Sequence, residues 1–246
     1  MAAQQSDGER PVFVLVHGAW HGGWCYARTA RILRARGYEV YTPTLTGVSD
    51  RAHLVSPEIG LSTHVADVAG LLRWEDLRNV VLAGHSYGGV VISGVYEQAR
   101  DRIGALSFID AIVPASGQAM LDTVPPEVGR SFLDGAAERG FGWLVPPTPA
   151  EFFNVNPADR AWVDRLCTPQ PLRTFQEPVA FGPREAGLRQ QYLLATGFEN
   201  PVLPAMAAPL RADPAWSVED VPVGHDIMID APERLADLLE RLAAAA

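Results

Sequence analysis

Apolar residues run along this chain in short unbroken stretches, separated by segments in which they recur at helical spacing. Strands are expected at 12–16, 38–42, 79–83 and 105–109, with helices between them near 25–36, 62–74 and 88–100. Runs such as Val12-Phe13-Val14-Leu15-Val16 and Val80-Val81-Leu82-Ala83 are apolar at every position rather than every second one. That pattern suits strands of a parallel sheet, whose crossover helices bury both faces. The alternation therefore predicts an α/β domain with a mostly parallel, doubly wound sheet. Further on, a strand is expected at 191–196 and a short one from Val218 toward Gly224. A closing helix is expected at 232–244, where Leu235, Leu238, Leu239 and Leu242 fall on one face. The terminal alanines are expected to fray.

The regularity stops at Val113-Pro114. Residues 115–185 hold ten of the 20 prolines and eight of the 21 aromatics, so continued strand–helix alternation is not expected there. Proline lacks the N–H that both the helix and the sheet ladder use. We read this stretch as a cap folded over the carboxyl ends of the strands, within a single domain spanning 1–246. Its aromatics, Phe132, Phe141, Trp143, Phe152, Phe153 and Trp162, either line an apolar pocket or pack the cap onto the body, and Trp143 is taken as a pocket residue.

The chemistry is concentrated where strands end. The run 80–83 leads into Gly84-His85-Ser86-Tyr87-Gly88-Gly89, the Gly-x-Ser-x-Gly pattern of a sharp strand-to-helix turn that exposes a serine hydroxyl. Gly84 and Gly88 stand where side chains would collide with the neighbouring strand and helix. The backbone N–H of Tyr87, at a helix start, can hold a developing oxyanion. Strand 12–16 runs into His17-Gly18-Ala19-Trp20-His21-Gly22-Gly23-Trp24, a glycine-rich loop able to aim N–H groups at a ligand. Ala19 is the expected second oxyanion donor, and Gly18, Trp20 and His21 are expected beside the substrate, with His21 at the pocket mouth. His17 and His85 read as structural, hydrogen-bonded histidines, and His53 and His64 have no setting that suggests chemistry. His225, in Val223-Gly224-His225-Asp226, would sit on a loop at the carboxyl end of a strand, where α/β sheets carry their sites. It is the expected general base for Ser86, and the side chain of its neighbour Asp226 is expected to diverge from its ring.

Taken together, these segments with Thr44-Leu45-Thr46-Gly47, Arg51 and His53 resemble the α/β-hydrolase superfamily. Within it they resemble the plant-type methylesterases, hydroxynitrile lyases and their bacterial esterase relatives. The resemblance covers nearly the whole chain and implies the α/β-hydrolase fold. It departs from the pattern in two places. Members commonly carry the triad acid as an aspartate after the penultimate strand, but Gly197-Phe198-Glu199-Asn200-Pro201 holds none. Asp110, ending the run 105–109, is one candidate and keeps the order Ser, Asp, His; Glu199 is the other, and the absence of any acid stays open. The lyases of the group also resemble one another in a threonine and a lysine at the positions of Gly18 and Asp226, so ester hydrolysis fits better than cyanide chemistry.

A net charge of −9 with no basic stripe argues against nucleic acid as a partner. Only Cys25 and Cys167 occur, without metal-ligand spacing, and are expected as free thiols in a reducing compartment. Met1 to Arg10 is polar, and no run approaches the twenty apolar residues of a membrane span. A cytoplasmic protein that avoids membranes, with no metal and no cofactor, is expected; a homodimer stays open. The expected activity is that of a carboxylesterase-type serine hydrolase acting on a hydrophobic small-molecule ester. The rivals are altered chemistry on the same groups (carbon–carbon cleavage, lactonisation or lyase chemistry on a biosynthetic intermediate) and a non-catalytic small-molecule binder.

Overall fold

The computed structural model describes residues 10–244. The polar leader up to Glu9 and the last two alanines lie outside the described residues. Six parallel strands form one sheet in the order β2-β1-β3-β4-β7-β8. They are β1 (Val12–Val16), β2 (Val40–Tyr41), β3 (Val80–His85), β4 (Ile103–Ile109), β7 (Arg189–Ala195) and β8 (Trp216–Val221). Every residue of β1 and β3 is buried, as their unbroken apolar runs require, whereas β8 is an edge strand and half-exposed along most of its length. Helices α1 (Ala27–Ala35), α2 (Leu61–Trp74), α3 (Gly88–Gln98), α7 (Val202–Ala212) and α9 (Pro232–Ala244) accompany the sheet, with the single turn α8 (Ile227–Asp230). Helix α9 runs to Ala244, so Ala243 and Ala244 are helical rather than frayed. It buries Leu235, Leu238, Leu239 and Leu242.

Two elements differ from expectation. The last strand lies at Trp216–Val221 and stops four positions before His225, leaving a loop rather than a direct strand end. Helix α7 went unread because Pro204 and Pro209 lie within it. Pro204 falls in the first turn, where a missing N–H costs nothing.

The segment between β4 and β7 does leave the alternation, yet it is more regular than its prolines suggest. It holds α4 (Pro126–Arg139), which starts on Pro126 at the first helical position, where proline is well tolerated. It also holds α5 (Arg160–Leu166), α6 (Arg173–Gln176) and an antiparallel pair, β5 (Leu144–Val145) with β6 (Gln170–Pro171). This cap is tied to the body by a paired Arg28–Asp159 salt bridge at 2.6 Å, and by Asn156, whose N–H and side-chain amide both donate to Asp230.

Candidate active site

Strands β3 and β1 are neighbours in register, Val16 facing Gly84, so the turn after β3 and the loop after β1 meet at one end of the sheet. Ser86 occupies the turn with φ 52°, a left-handed conformation that a non-glycine residue adopts only when its surroundings enforce it. The enforcement is steric. A Cβ on Gly84 would lie 2.5 Å from the Gly88 carbonyl oxygen, and one on Gly88 would lie 2.8 Å from the carbonyl oxygens of Val16 and His17. Only glycine lets strand, turn and α3 close this tightly. Ser86 is half-buried, and its backbone is pinned by bonds to Ile109 O and from Ile112 N.

Two buried residues at the serine turn have backbone N–H groups without a protein acceptor among the described residues: Tyr87, directly after the serine, and Ala19, directly after Gly18, which packs against the turn. Orphaned buried N–H groups are rare in folded proteins. Tyr87 is the N-cap of α3, so its N–H lies at the positive end of that helix. Gly18 packs against the same turn. A Cβ there would lie 2.7 Å from His85 Nδ1 and 3.0 Å from the Ser86 Cβ, which leaves no room for a hydroxyl-bearing side chain.

Asp110 ends β4 at φ 43° and is fully buried. Its Oδ1 accepts the N–H of Ala195 at 2.9 Å, and its Oδ2 accepts His225 Nδ1–H at 2.6 Å. That bond fixes which ring nitrogen faces Asp110 and leaves Nε2 pointing away from it. The His225 ring lies between Phe153 and Phe198, with centroids 5.1 and 5.0 Å away, and its backbone N–H donates to Phe153 O in the cap. Glu199 is exposed on the loop after β7, and the ring nitrogen it would need is taken by Asp110.

The remaining histidines sort by their partners. His17 donates from Nδ1 to Gly18 O and accepts Leu45 N–H at Nε2. It is neutral, burial having pushed its pKa down to about 3. His64, brought down to about 4 by burial, accepts the Tyr87 hydroxyl and donates to Thr46 O. His85 donates from Nε2 to the His225 carbonyl at 3.1 Å, so it is structural as expected, and its ring touches that of His225 at 4.5 Å. His21 is a correction. It is 2 % exposed rather than at a pocket mouth, bonded through its two nitrogens to Ala19 O and Asp226. Asp226 does diverge from the His225 ring, toward His21.

Trp20 was expected beside substrate but also has a structural role that its sequence position gives no hint of. At φ 66°, its N–H donates to Gln170 Oε1 and its indole N–H to Val145 O, each at 3.1 Å, and its carbonyl accepts Thr168 N–H. Its ring meets Phe132, Phe153 and Phe175 at about 6 Å. These rings, with Tyr87 against Phe175, form an apolar aromatic layer under the cap. Trp143 is half-buried and enters the cap hairpin through its carbonyl, which accepts Leu172 N–H. A surface cleft of about 880 Å³ lies elsewhere, among Trp24, Arg31, Thr42 and Arg165, and includes neither Ser86 nor His225. Cys25 and Cys167 are free thiols, and no cluster of metal-ligating side chains occurs among the described residues. No helix among those residues is long and apolar enough to cross a membrane.

The chain is 43% identical over 239 residues to a carbendazim hydrolyzing esterase of Nocardioides sp. (strain SG-4G), covering 94% of this chain and 98% of that one. Among solved structures, an extracellular alpha/beta-hydrolase from a Paenibacillus species superposes with TM-score 0.82 at 24% identity, covering 94% and 98% of the two chains. That hydrolase is described as sharing structural and functional homology with tobacco salicylic acid binding protein 2. A pyrethroid hydrolase from Sphingobium faniae JZ-2 superposes with TM-score 0.76 at 23% identity, covering 96% and 98%. The sequence profile that matches residues 13–238 is that of the alpha/beta hydrolase family, and with a full-length esterase relative at this identity the chain belongs to that family and is a hydrolase.

Proposed function

We propose that this enzyme cleaves a carboxylic ester of a hydrophobic small molecule through an acyl-enzyme on Ser86. The observation that carries the reading is the pair of buried residues, Ala19 and Tyr87, whose N–H groups have no protein acceptor among the described residues at the turn of a serine held at φ 52°. Such donors suit an oxygen that becomes negative only in the transition state. In the first step His225 Nε2 takes the Ser86 proton as Oγ attacks the ester carbonyl, and the two N–H groups hold the oxyanion. The imidazolium then gives its proton to the leaving alcohol. In the second step water, deprotonated by His225, attacks the acyl-enzyme and releases the carboxylic acid and Ser86. Asp110 orients the ring and offsets its transient charge. Among the described residues neither Ser86 Oγ nor His225 Nε2 has a hydrogen-bond partner, and the mechanism needs the bond between them to form in the substrate complex.

The aromatic layer of Trp20, Phe132, Phe153 and Phe175 supports an apolar acyl or alcohol group. Carbendazim, for which the 43%-identical relative is named, is the first compound to assay, followed by pyrethroids. The two free thiols fit a cytoplasmic setting. The decisive experiment pairs fluorophosphonate labelling with p-nitrophenyl acetate turnover. Ser86→Ala should abolish the label and lower turnover on the order of 10⁶-fold while the protein stays folded. A folded Ser86→Ala protein keeping a tenth or so of the wild-type rate would remove Ser86 from the nucleophile's role.

A further inference from the structure

Asp226 follows His225 in the chain, is fully buried, and takes no part in the acyl-transfer steps. Its Oδ2 lies 3.2 Å from His21 Nε2, while His21 Nδ1 lies 2.8 Å from the Ala19 carbonyl oxygen. Both partners of His21 are acceptors. A neutral imidazole has one N–H to give, so satisfying both bonds requires protons on both ring nitrogens. His21 is then an imidazolium, and a buried imidazolium–carboxylate pair joins the loop that carries His225 to the loop that carries Ala19. The other oxygen, Oδ1, accepts no hydrogen bond and lies 3.5 Å from His85 Nε2, which in turn donates to the His225 carbonyl. Three segments therefore converge on one carboxylate: the donor loop, the elbow and the base loop.

Stability is a poor reason for such a pair. Desolvating two charges generally costs as much as their attraction returns, and well-packed apolar side chains do as well or better. The arrangement is instead geometric: it connects the residue whose N–H faces the oxyanion to the residue after the base. We propose that His21 and Asp226 are positioning residues for acyl transfer, holding the Ala19 loop against the His225 loop as imidazolium and carboxylate, and that loss of the His21 proton sets the alkaline limit of activity. The proposal rests on the acyl-transfer reading above.

The groups facing His21 come from several elements. Asp226 approaches from the loop after β8, Cys167 from the end of α5, His85 from the end of β3 and His17 from the end of β1, and Trp24 stacks on the ring at 5.3 Å. Cys25, in the turn before α1, interacts with Asp226 and Cys167 rather than with His21 itself. His17 and His85 are held neutral by burial, and burial pushes the Cys25 thiol well up. Burial alone would strip His21 of its proton as well. The Asp226 carboxylate reverses that, with Cys167 adding to it, and holds the His21 pKa well above 6.5. The imidazolium form is thus present at neutral pH and lost as pH rises through that elevated value.

The test is a set of pH profiles of kcat and KM for a p-nitrophenyl ester from neutral to alkaline pH, corrected with Ser86→Ala, alongside ¹⁵N NMR of histidine-labelled wild type. Asp226→Asn should lower kcat on the order of 10- to 100-fold with KM near wild type, the size expected when reacting groups are displaced slightly. It should also move the alkaline limb to lower pH, since the amide no longer retains the His21 proton. Asp226→Glu should restore part of both. Cys167→Ser, which removes only the smaller contribution, should move the limb the same way but by less than Asp226→Asn. In wild type, one imidazole should keep both nitrogens protonated well above neutral pH, and that signal should vanish in His21→Asn. The NMR arm stands even where a variant fails to fold. Ser86 labelling and ester turnover with no such imidazole, or with an alkaline limb unmoved by Asp226→Asn or moved further by Cys167→Ser than by Asp226→Asn, would overturn the positioning role and leave the acyl-transfer reading intact. Absence of labelling and turnover would overturn the reading itself.

Discussion

Asp110 sits in a left-handed conformation with both carboxylate oxygens engaged, one by Ala195 N–H and one by His225. Changing it to asparagine keeps the volume but puts an amide where an acceptor is needed, so the ring is driven to the wrong tautomer. Asp110→Asn should lower kcat about 10⁴-fold, whereas exposed Glu199→Gln should stay close to wild type, both measured on p-nitrophenyl acetate with folding checked by circular dichroism. The reverse ranking would make Glu199 the acid. At this scale the sequence was legible wherever a residue's placement follows from its neighbours in the chain: Ser86, Tyr87 and Ala19 stand in local turn motifs, Asp110 follows an apolar run, and His225 stands in the loop after a short strand. His21 was misplaced and the bond from His85 to the His225 carbonyl was not foreseen. Their partners lie 205 and 140 positions away, and nothing in a glycine-rich loop says which way an imidazole turns.

Among elements, the central strands β1 and β3 were readable because burial on both faces leaves almost no polar position in them, and α9 because its leucines keep one face. The cap was legible only as a departure from that order. Its short β5–β6 pair has no periodicity to detect; outside the cap, α7 was hidden by Pro204 in its first turn and Pro209 within it. Yet the cap hairpin has a specific task. Val145 and Gln170 are register partners, and both accept N–H groups of Trp20, the residue after Ala19. Gln170→Leu removes a buried acceptor and strands the Trp20 N–H, a loss of about 1–3 kcal/mol. We expect a lower thermal midpoint together with reduced kcat, because the loop that carries the Ala19 donor loses its anchor. Unchanged kcat in a destabilised Gln170→Leu protein would confine this contact to stability.

For the whole molecule, buried histidines set the response to pH. His17 at about 3, His64 at about 4 and His85 well below 6.5 refuse protons that the unfolded chain accepts near 6.5. Their contribution is present above that pH and is lost as pH falls through the folded values, at about 1.4 kcal/mol per pH unit for each group. His21 has the opposite sign: its folded pKa is raised, so its contribution is full below 6.5 and lost as pH climbs through the raised value. Three groups oppose one, so the thermal midpoint should peak near neutrality and fall more steeply on the acid side. A midpoint flat from neutral into mildly acidic pH would contradict this. One more consequence follows from the tie between Trp20 and the hairpin. In many enzymes a lid is a module that evolution or an engineer can exchange for new specificity while the machinery beneath is left alone. Here the inserted segment and the loop after the first strand share hydrogen bonds through a single tryptophan, so they are coupled as one structural unit. A chimaera that imports a foreign lid must bring its matching N-terminal loop, across about 150 residues of chain, or it will carry a new pocket over a misaligned Ala19 N–H.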